Sequence, residues 1–313
     1  MGRKMLIDGE WDFKAEEMAD EDGEFQRSKT TFRDRIDEDA DPSRFHLYIS
    51  RACPWAHGAV LVRKLLGLEQ ISMDIVDPWR GEKGWQFSPE KDEVYTSDSI
   101  HGHDYLYQVY LEADPEYTGR VTVPVLWDKE EGTIVNNESI EIMKMLAEKF
   151  KDERDLYPEE MRDEIDRNVE RLYEHVNNGV YKAGFAETQE AYDRAVGKLF
   201  DELDHWDNVL EDQRYLVGDQ LTLADIRLFA TLVRFDEVYH THFKCNKKQV
   251  INYENLWPYL RDVYQTGGIA KTVNMDHIKE HYYTTHQSVN PKELIPIGPD
   301  PDFEQPHKRN RLR

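Results

Sequence analysis

Cysteine, long apolar runs and net positive charge are all scarce in this sequence. Cys53 and Cys245 are the only cysteines among 313 residues, and two thiols cannot form the disulfide framework of a small secreted protein. No apolar run approaches the roughly 18 to 20 residues that span a bilayer, and the polar, acidic N-terminus lacks the pattern of a signal peptide. We therefore expect a cytoplasmic protein that makes no membrane contact.

The charge balance excludes a further class of function. Asp and Glu number 63 against 40 Lys and Arg, which gives a formal net charge of -23 and an isoelectric point near 4.9. A surface field of this sign repels phosphate backbones, so we expect no nucleic-acid partner. Two explanations of the acidic surface stay open, namely ordinary solubility and adaptation to a cytoplasm rich in salt.

Apolar and aromatic residues are present in the amounts typical of a folded protein, and the chain is long enough for two domains. Residues 44–152 alternate β-branched runs with helical periods, which indicates an α/β domain. Its predicted strands and helices cover 45–50, 54–66, 71–76, 121–127, 132–135 and 137–150. Asn137 is the predicted N-cap of the last helix. Pro124 falls inside a predicted strand, so we expect a cis bond or a bend at a ligand site.

The hydrophobic pattern of the remaining residues differs from that of the α/β domain. Residues 153–287 show long helical periods without strand signals, which predicts an all-helical domain. The predicted helices cover 160–178, 187–211, 222–240, 255–265 and 274–284, and Thr222-Leu-Ala-Asp225 has the form of a capping box. Residues 1–43 are predicted to be an extended arm, 77–118 a functional loop, and 288–313 a C-terminal tail.

The most informative motif is Cys53-Pro54-Trp55-Ala56-His57, which places a thiol where a strand hands over to a helix. Free amide groups and the helix dipole at this position favour the thiolate, so we expect the pKa of Cys53 to fall from about 8.5 toward neutrality. Ala56 stands where a dithiol oxidoreductase has its second cysteine. The resolving thiol must therefore come from another molecule.

The order of these elements resembles the glutathione transferase superfamily, and several motifs resemble its Xi class, the glutathionyl-hydroquinone reductases. The motifs are the Cys53 segment, Gly119-Arg-Val-Thr-Val-Pro124, Glu138-Ser139, Asn177-Asn-Gly-Val-Tyr-Lys-Ala-Gly-Phe185, Thr222-Leu-Ala-Asp-Ile-Arg227, Val233-Arg-Phe-Asp236, Thr241-His-Phe-Lys-Cys245 and Asn274-Met-Asp-His-Ile-Lys279. The resemblance covers about residues 43–300. It implies a thioredoxin-like α/β N-terminal domain plus an all-α C-terminal domain, the glutathione transferase fold.

The resemblance also implies a reaction, the glutathione-dependent cleavage of S-glutathionyl-hydroquinones to hydroquinones. Cys53 would be the nucleophile that forms a mixed disulfide, and a second thiol would resolve it. Carbon leaves sulfur poorly unless the ring first takes up a proton. Tyr181 matches the family's proton donor, and Tyr239 and Tyr282 match two further tyrosines of its site.

The thiol-binding residues follow from the same resemblance. Val123 would hold the cysteinyl unit through its backbone, Ser139 at a helix start suits the γ-glutamyl carboxylate, and Glu138 can pair with the ammonium group. The complete expected set is Trp85, Arg120, Val121, Thr122, Val123, Pro124, Glu138 and Ser139. We expect no bound metal and a homodimer.

Several alternatives stay open. The thiol is glutathione or γ-glutamylcysteine, because both carry the γ-glutamyl group. An Omega-like thiol transferase or dehydroascorbate reductase would use the same Cys53 chemistry, and a non-catalytic thiol-binding scaffold would use only the fold. His57 is interpreted as a packing residue behind Cys53, and Cys245 as structural. His240, His242 and Cys245 resemble metal ligands but lack a fourth.

Overall fold

The computed structural model describes residues 3–16, 19–20, 22–26, 29–91, 93–151 and 153–312. The strands are β1 Arg3–Ile7, β2 Glu10–Glu16, β3 Phe45–Ile49, β4 Ser72–Ile75, β5 Val125–Asp128 and β6 Thr133–Asn136. The α-helices are α1 Pro54–Leu65, α2 Leu106–Ala113, α3 Ser139–Lys149, α4 Arg162–Leu172, α5 Gly179–Gly184, α6 Gln189–Asp212, α7 Leu223–Arg234, α8 Leu256–Tyr264 and α9 Met275–Thr285.

The α/β half is built on a four-stranded mixed sheet in the order β4-β3-β5-β6. Strands β3 and β4 are parallel and joined through α1, while β5 pairs antiparallel with both β3 and β6. Every residue of β3 and β5 is buried, as expected for central strands that are covered on both faces. This is the thioredoxin-like arrangement that the sequence predicts.

Two details of the predicted α/β domain are wrong. Pro124 does not lie inside a strand, because β5 begins at Val125. The Val123–Pro124 peptide is cis, as the first of the two sequence alternatives proposed. Asn137 is not the N-cap of α3: Glu138 takes that position, and the Asn137 amide instead donates a hydrogen bond to the Tyr110 hydroxyl over 3.1 Å.

The predicted loop 77–118 contains a helix that the sequence analysis missed. Helix α2 carries Tyr110, whose hydroxyl donates to the Thr122 carbonyl over 2.9 Å and accepts from the Thr122 amide over 3.2 Å. Both bonds hold the backbone immediately before Val123 and the cis proline. Helix α2 therefore positions the segment that is expected to bind the thiol.

The helical half differs from its prediction at two helix ends and in the short helix α5, which the sequence analysis did not predict. The predicted helices 160–178 and 222–240 each end in a π-helical turn, Tyr173–Asn177 after α4 and Phe235–Tyr239 after α7. Such turns are frequent at functional sites. The capping box at Thr222 is confirmed. Within the part of the chain that the structure describes, every helix is too short or too polar to cross a bilayer.

Both chain ends pack on the body. Strands β1 and β2 form a hairpin, and Leu6 exchanges two backbone hydrogen bonds with Gly119. In the predicted arm, residues 1, 2, 17, 18, 21, 27 and 28 lie outside the described residues, as does residue 313 of the predicted tail. The tail buries Arg309, whose guanidinium donates to the carbonyls of Leu210 and Arg214 over 3.0 and 3.1 Å.

Candidate functional site

Cys53 lies at the junction of β3 and α1. It is the N-cap residue of α1, with an extended backbone, and Pro54 fills the first helical position. The side chain is 8% exposed, and Sγ lies 3.7 Å from the carbonyl oxygen of Val123. The thiol therefore faces the backbone beside the cis proline, at the helix end where unpaired N–H groups favour negative charge.

A buried arginine from the helical half holds the peptide that precedes this cysteine. The Arg234 guanidinium donates to the carbonyls of Ala52 and Arg51, each over 3.0 Å, and to the carbonyl of Ala230 over 2.7 Å. The side chain is completely buried, and its partners in the described structure include no carboxylate. Arg234 thus brings an uncompensated positive charge to the back of the Cys53 loop.

His57 belongs to the same network. Its Nδ1 lies 3.0 Å from Arg234 and must accept, so Nε2 carries the proton and donates to Thr272 Oγ1 over 2.8 Å. The Thr272 hydroxyl in turn donates to the Ile269 carbonyl. Burial, and then the charges of Arg234 and Arg51, hold the pKa of His57 well below its ordinary value. A neutral imidazole with both nitrogens engaged supplies no charge to Cys53, and His57 acts here as a hydrogen-bond partner of Arg234.

Replacing Arg234 by methionine is expected to leave the Arg51 and Ala52 carbonyls without donors. The free energy of unfolding should fall by about 3 kcal/mol, since an unsatisfied buried group costs roughly 1 to 3 kcal/mol. We also expect the rate of Cys53 alkylation by iodoacetamide to fall about tenfold. Urea unfolding and peptide mass mapping measure the two effects. An alkylation rate equal to that of the parent protein would show that Arg234 has only a structural role.

The three predicted tyrosines come together. The hydroxyl oxygens of Tyr181 and Tyr282 are 2.6 Å apart, and those of Tyr239 and Tyr282 are 2.9 Å apart. Tyr239 and Tyr282 are fully buried, whereas Tyr181 is partly exposed. Burial, followed by the neighbouring tyrosines, raises the pKa of Tyr239 and Tyr282 well above the ordinary value. All three residues, from α5, the second π-helical turn and α9, therefore form one chain of hydroxyl groups.

The three hydroxyl groups differ in burial. Tyr239 is completely buried, and its described hydroxyl partners are the other two tyrosines. Tyr181 is the partly exposed member of the three. A ligand that contacts this cluster would therefore meet the Tyr181 hydroxyl first, with the two buried hydroxyls behind it.

Aromatic rings surround Tyr181. The ring centroid of Trp55 lies 6.0 Å away on α1, and that of Phe243 lies 5.4 Å away. Phe25, from the N-terminal arm, stacks on both Tyr181 and Phe185 at 6.3 and 5.6 Å. Such a wall suits a flat aromatic ligand.

Two of the expected thiol-binding residues, Glu138 and Ser139, lie at the start of α3. The Ser139 hydroxyl, at the start of α3, accepts a hydrogen bond from Arg227 over 3.2 Å, and Arg227 lies 4.5 Å from the Trp55 ring centroid. The Glu138 side chain makes no capping bond and accepts from Thr30 Oγ1 of the arm over 3.1 Å. Helix capping alone therefore does not account for Glu138.

The other members of the predicted set flank the cis proline. Val121, Val123 and Pro124 are buried, while Thr122 and Arg120 are partly exposed. Trp85 is 5% exposed and stacks on His281 at 5.1 Å, and His281 packs edge-on against Tyr282. Trp85 is thus linked through His281 to Tyr282.

Three further histidines pack around Tyr282. His242 Nε2 lies 3.2 Å from His286 Nδ1, and His281 Nδ1 donates to the Pro78 carbonyl over 2.6 Å. Burial lowers the pKa of His242 and of His281 to about 4, and that of His286 further still. All are neutral at pH 7, so they do not supply a cation to the site.

These histidines predict an acid-sensitive fold. In the unfolded chain these histidines bind protons below about pH 6.5, whereas in the folded chain His242 and His281 bind them only near pH 4. Between these two pH values the unfolded state holds more protons, so the free energy of unfolding falls as the pH falls. Each such histidine should contribute about 1 kcal/mol for each pH unit. Urea unfolding at several pH values measures the slope. His242→Gln should flatten it, whereas the matched control His103→Gln, at a partly exposed position, should not.

The residues with possible metal-ligand character do not form a centre beside Cys53. Cys245 is completely buried, its thiol donates to the Phe243 carbonyl over 3.8 Å, and burial raises its pKa. Among the described residues, the group of three close ligand side chains is Asp98, His101 and His103. Asp98 there accepts from Tyr48 and from the His101 and His103 amides, which accounts for it as a loop anchor.

Sequence reasoning missed Arg227 and Arg234 as site residues. Both lie in α7, whose residues are all buried. Arginine is rarely buried in an apolar helix without a partner, and the seven-residue spacing places both on one face. That pattern was the available signal. Phe25 was not identified as a site residue either.

The chain resembles known proteins over nearly its whole length. Models described as the glutathione S-transferase N-terminal and C-terminal domains match residues 52–149 and 189–265. The glutathionyl-hydroquinone reductase YqjG of Escherichia coli is 48% identical over 97% of this chain and 98% of the relative, and PcpF of Sphingobium chlorophenolicum, of the same name, is 49% identical over 94% and 96%. A Xi class transferase from Natrialba magadii has a TM-score of 0.93 and 55% identity over 99% of this chain and 97% of that one.

Proposed function

This chain belongs to the glutathione transferase family, in its Xi class, and we propose that it cleaves S-glutathionyl-hydroquinones reductively to hydroquinones. The observation that carries the proposal is the pairing of a lone thiol at a helix N-terminus with a hydroxyl chain that ends on Tyr181. A thiol transferase that only exchanges disulfides has no use for a proton donor among packed aromatic rings. The relatives named as glutathionyl-hydroquinone reductases support the assignment.

In the first step, Tyr181 donates its proton to the ring carbon that bears the sulfur. A ring hydroxyl group releases its own proton to solvent, so that the ring becomes a ketone tautomer, and this turns carbon into an acceptable leaving group. The Tyr282 hydroxyl then donates to the oxygen of Tyr181, and Tyr239 donates to Tyr282. The two buried phenols thereby stabilise the charge that Tyr181 acquires.

In the second step, ionised Cys53 attacks the glutathionyl sulfur. A sulfur–sulfur bond forms, the sulfur–carbon bond breaks, and its electron pair returns to the ring, whose ketone oxygen takes up a proton as the hydroquinone re-aromatises. A second small thiol then attacks the mixed disulfide, releases Cys53 and the oxidised thiol, and gives up the proton that restores Tyr181. The thioether sulfur and one thiol sulfur are oxidised to the disulfide, and one carbon–sulfur bond is reduced to carbon–hydrogen.

The thiol half of the substrate would bind along the cis-proline segment. We assign its cysteinyl backbone to Val123, its γ-glutamyl carboxylate to Ser139 and the α3 N-terminus, and its ammonium group to Glu138. Trp85, Arg120, Val121, Thr122 and Pro124 would complete the wall. The cosubstrate would be glutathione or γ-glutamylcysteine; a homodimer and a cytoplasmic location stay predictions from the sequence.

The test is direct. Incubation with an S-glutathionyl-hydroquinone and excess glutathione should yield the free hydroquinone and glutathione disulfide in equal amounts. Brief incubation without the second thiol, followed by mass spectrometry, should show a glutathionyl adduct on Cys53 and none on Cys245. Hydroquinone release with no adduct on Cys53, or an unreacted conjugate, would contradict the proposal.

A further inference from the structure

Arg80 is a partly buried cation on the wall of the proposed thiol site. It lies in the loop that follows β4, and its backbone amide donates to Thr285 Oγ1 over 3.2 Å. Its guanidinium carbon is 5.6 Å from the centroid of the Trp85 ring, which is itself stacked on His281. The backbone of Arg80 is therefore attached to the helical half, while its guanidinium packs on a tryptophan of the α/β half.

The guanidinium makes no hydrogen bond to a described carboxylate or carbonyl. Nε is sealed from solvent without a hydrogen bond. Burial lowers the pKa of Arg80, while the charge of Cys53 raises it. In a chain with 63 acidic residues, a guanidinium that no carboxylate pairs with can bind the carboxylate of a ligand.

The ligand supplies the missing anion. The γ-glutamyl end of the thiol is assigned to Glu138 and Ser139, and its cysteinyl backbone to Val123. One charged group remains, the C-terminal carboxylate, and a guanidinium is the residue type that binds carboxylates with two parallel hydrogen bonds. We propose that Arg80 binds the C-terminal carboxylate of the small thiol, an inference that rests on the proposed function.

Two thiols can provide this carboxylate. In γ-glutamylcysteine it is attached to the cysteine itself, close to the sulfur, whereas in glutathione it lies one residue further away on glycine. The same guanidinium chemistry applies to both. Binding measurements separate the two.

The experiment measures binding without turnover. Calorimetry gives the Kd of S-methyl-γ-glutamylcysteine, of S-methylglutathione and of their C-terminal carboxamides for the intact protein and for Arg80→Met. Loss of a charge-assisted hydrogen bond should weaken binding of the free acid about tenfold or more, and leave the carboxamide unchanged. Arg80→Lys should restore part of the affinity. The thiol whose acid and carboxamide differ more in the parent protein is the one that Arg80 recognises.

Arg171→Met is the matched control, because Arg171 also lies over a tryptophan, 5.7 Å from the Trp206 ring, away from the site. It should not change any of the four Kd values. Equal weakening of acid and carboxamide by Arg80→Met would mean that Arg80 only supports Trp85 and would overturn the proposal. Unchanged Kd values with slower alkylation of Cys53 would also overturn it. Absence of conjugate cleavage in the parent protein, with these binding differences intact, would refute the proposed function alone.

Discussion

Cys53→Ser is expected to lose hydroquinone release by more than about 10³-fold, the scale seen when an enzyme loses its nucleophile. A serine oxygen is protonated at neutral pH and cannot form a stable mixed disulfide with the glutathionyl sulfur. The measurement is the initial rate of hydroquinone formation at saturating conjugate. The glutathionyl adduct at position 53 should also be absent from this variant.

The control for this prediction is the other cysteine. Cys245→Ala removes a fully buried thiol whose pKa burial has already raised, so turnover should persist even if the melting temperature drops. Binding of S-methylglutathione to Cys53→Ser should remain close to that of the parent, which shows that the variant is folded. If Cys53→Ser released hydroquinone at the rate of the parent, the mechanism would be wrong.

Tyr181→Phe is expected to slow thioether cleavage by about 10² to 10³-fold, the usual contribution of a general acid. The same variant should reduce a mixed disulfide of glutathione and cysteine at nearly the parent rate, because a thiolate leaves sulfur without protonation of carbon. Measuring kcat for both substrates isolates the proton transfer. Tyr282→Phe should have a smaller effect, and Tyr239→Phe the smallest.

Tyr192→Phe is the matched control, since its hydroxyl donates to the Lys244 carbonyl outside the site. It should leave both reactions unchanged. Equal losses in both reactions of Tyr181→Phe would make Tyr181 a substrate-positioning residue. A parent protein that reduces disulfides but leaves the thioether intact would favour the Omega-like alternative.

The Cys53 motif could be predicted because its signals are local. A cysteine followed by proline, between an apolar run and a helical period, is specified by a few adjacent residues. The hydrogen bond from Arg234 to the Ala52 carbonyl could not be predicted, because the two residues are separated by 182 positions. The local sequence of α7 does not indicate which carbonyls its arginine binds. The tyrosines lie between these cases. With 17 in the chain, only the family resemblance singled out Tyr181, Tyr239 and Tyr282, and their hydrogen bonds required the fold.

The misread segments have a common cause. Helix α2 is eight residues long and rich in aromatic residues, so neither its length nor its propensities distinguish it from a loop. The N-terminal arm was expected to be extended, yet β1 and β2 pair as a hairpin. Short elements stabilised by distant partners carry little periodicity of their own. Here α2 holds Thr122, and β1 bonds Gly119 through Leu6.

The attachment of Arg234 also governs how the molecule comes apart. Its guanidinium belongs to the helical half but donates hydrogen bonds to the carbonyls of Arg51 and Ala52 in the other half. Separation of the two halves would therefore leave one charged group and two carbonyl oxygens without their partners. Heat and denaturant should therefore melt both halves in a single cooperative transition. A fragment that ends before α7 would carry the reactive sulfur but lack the clamp that shapes its loop.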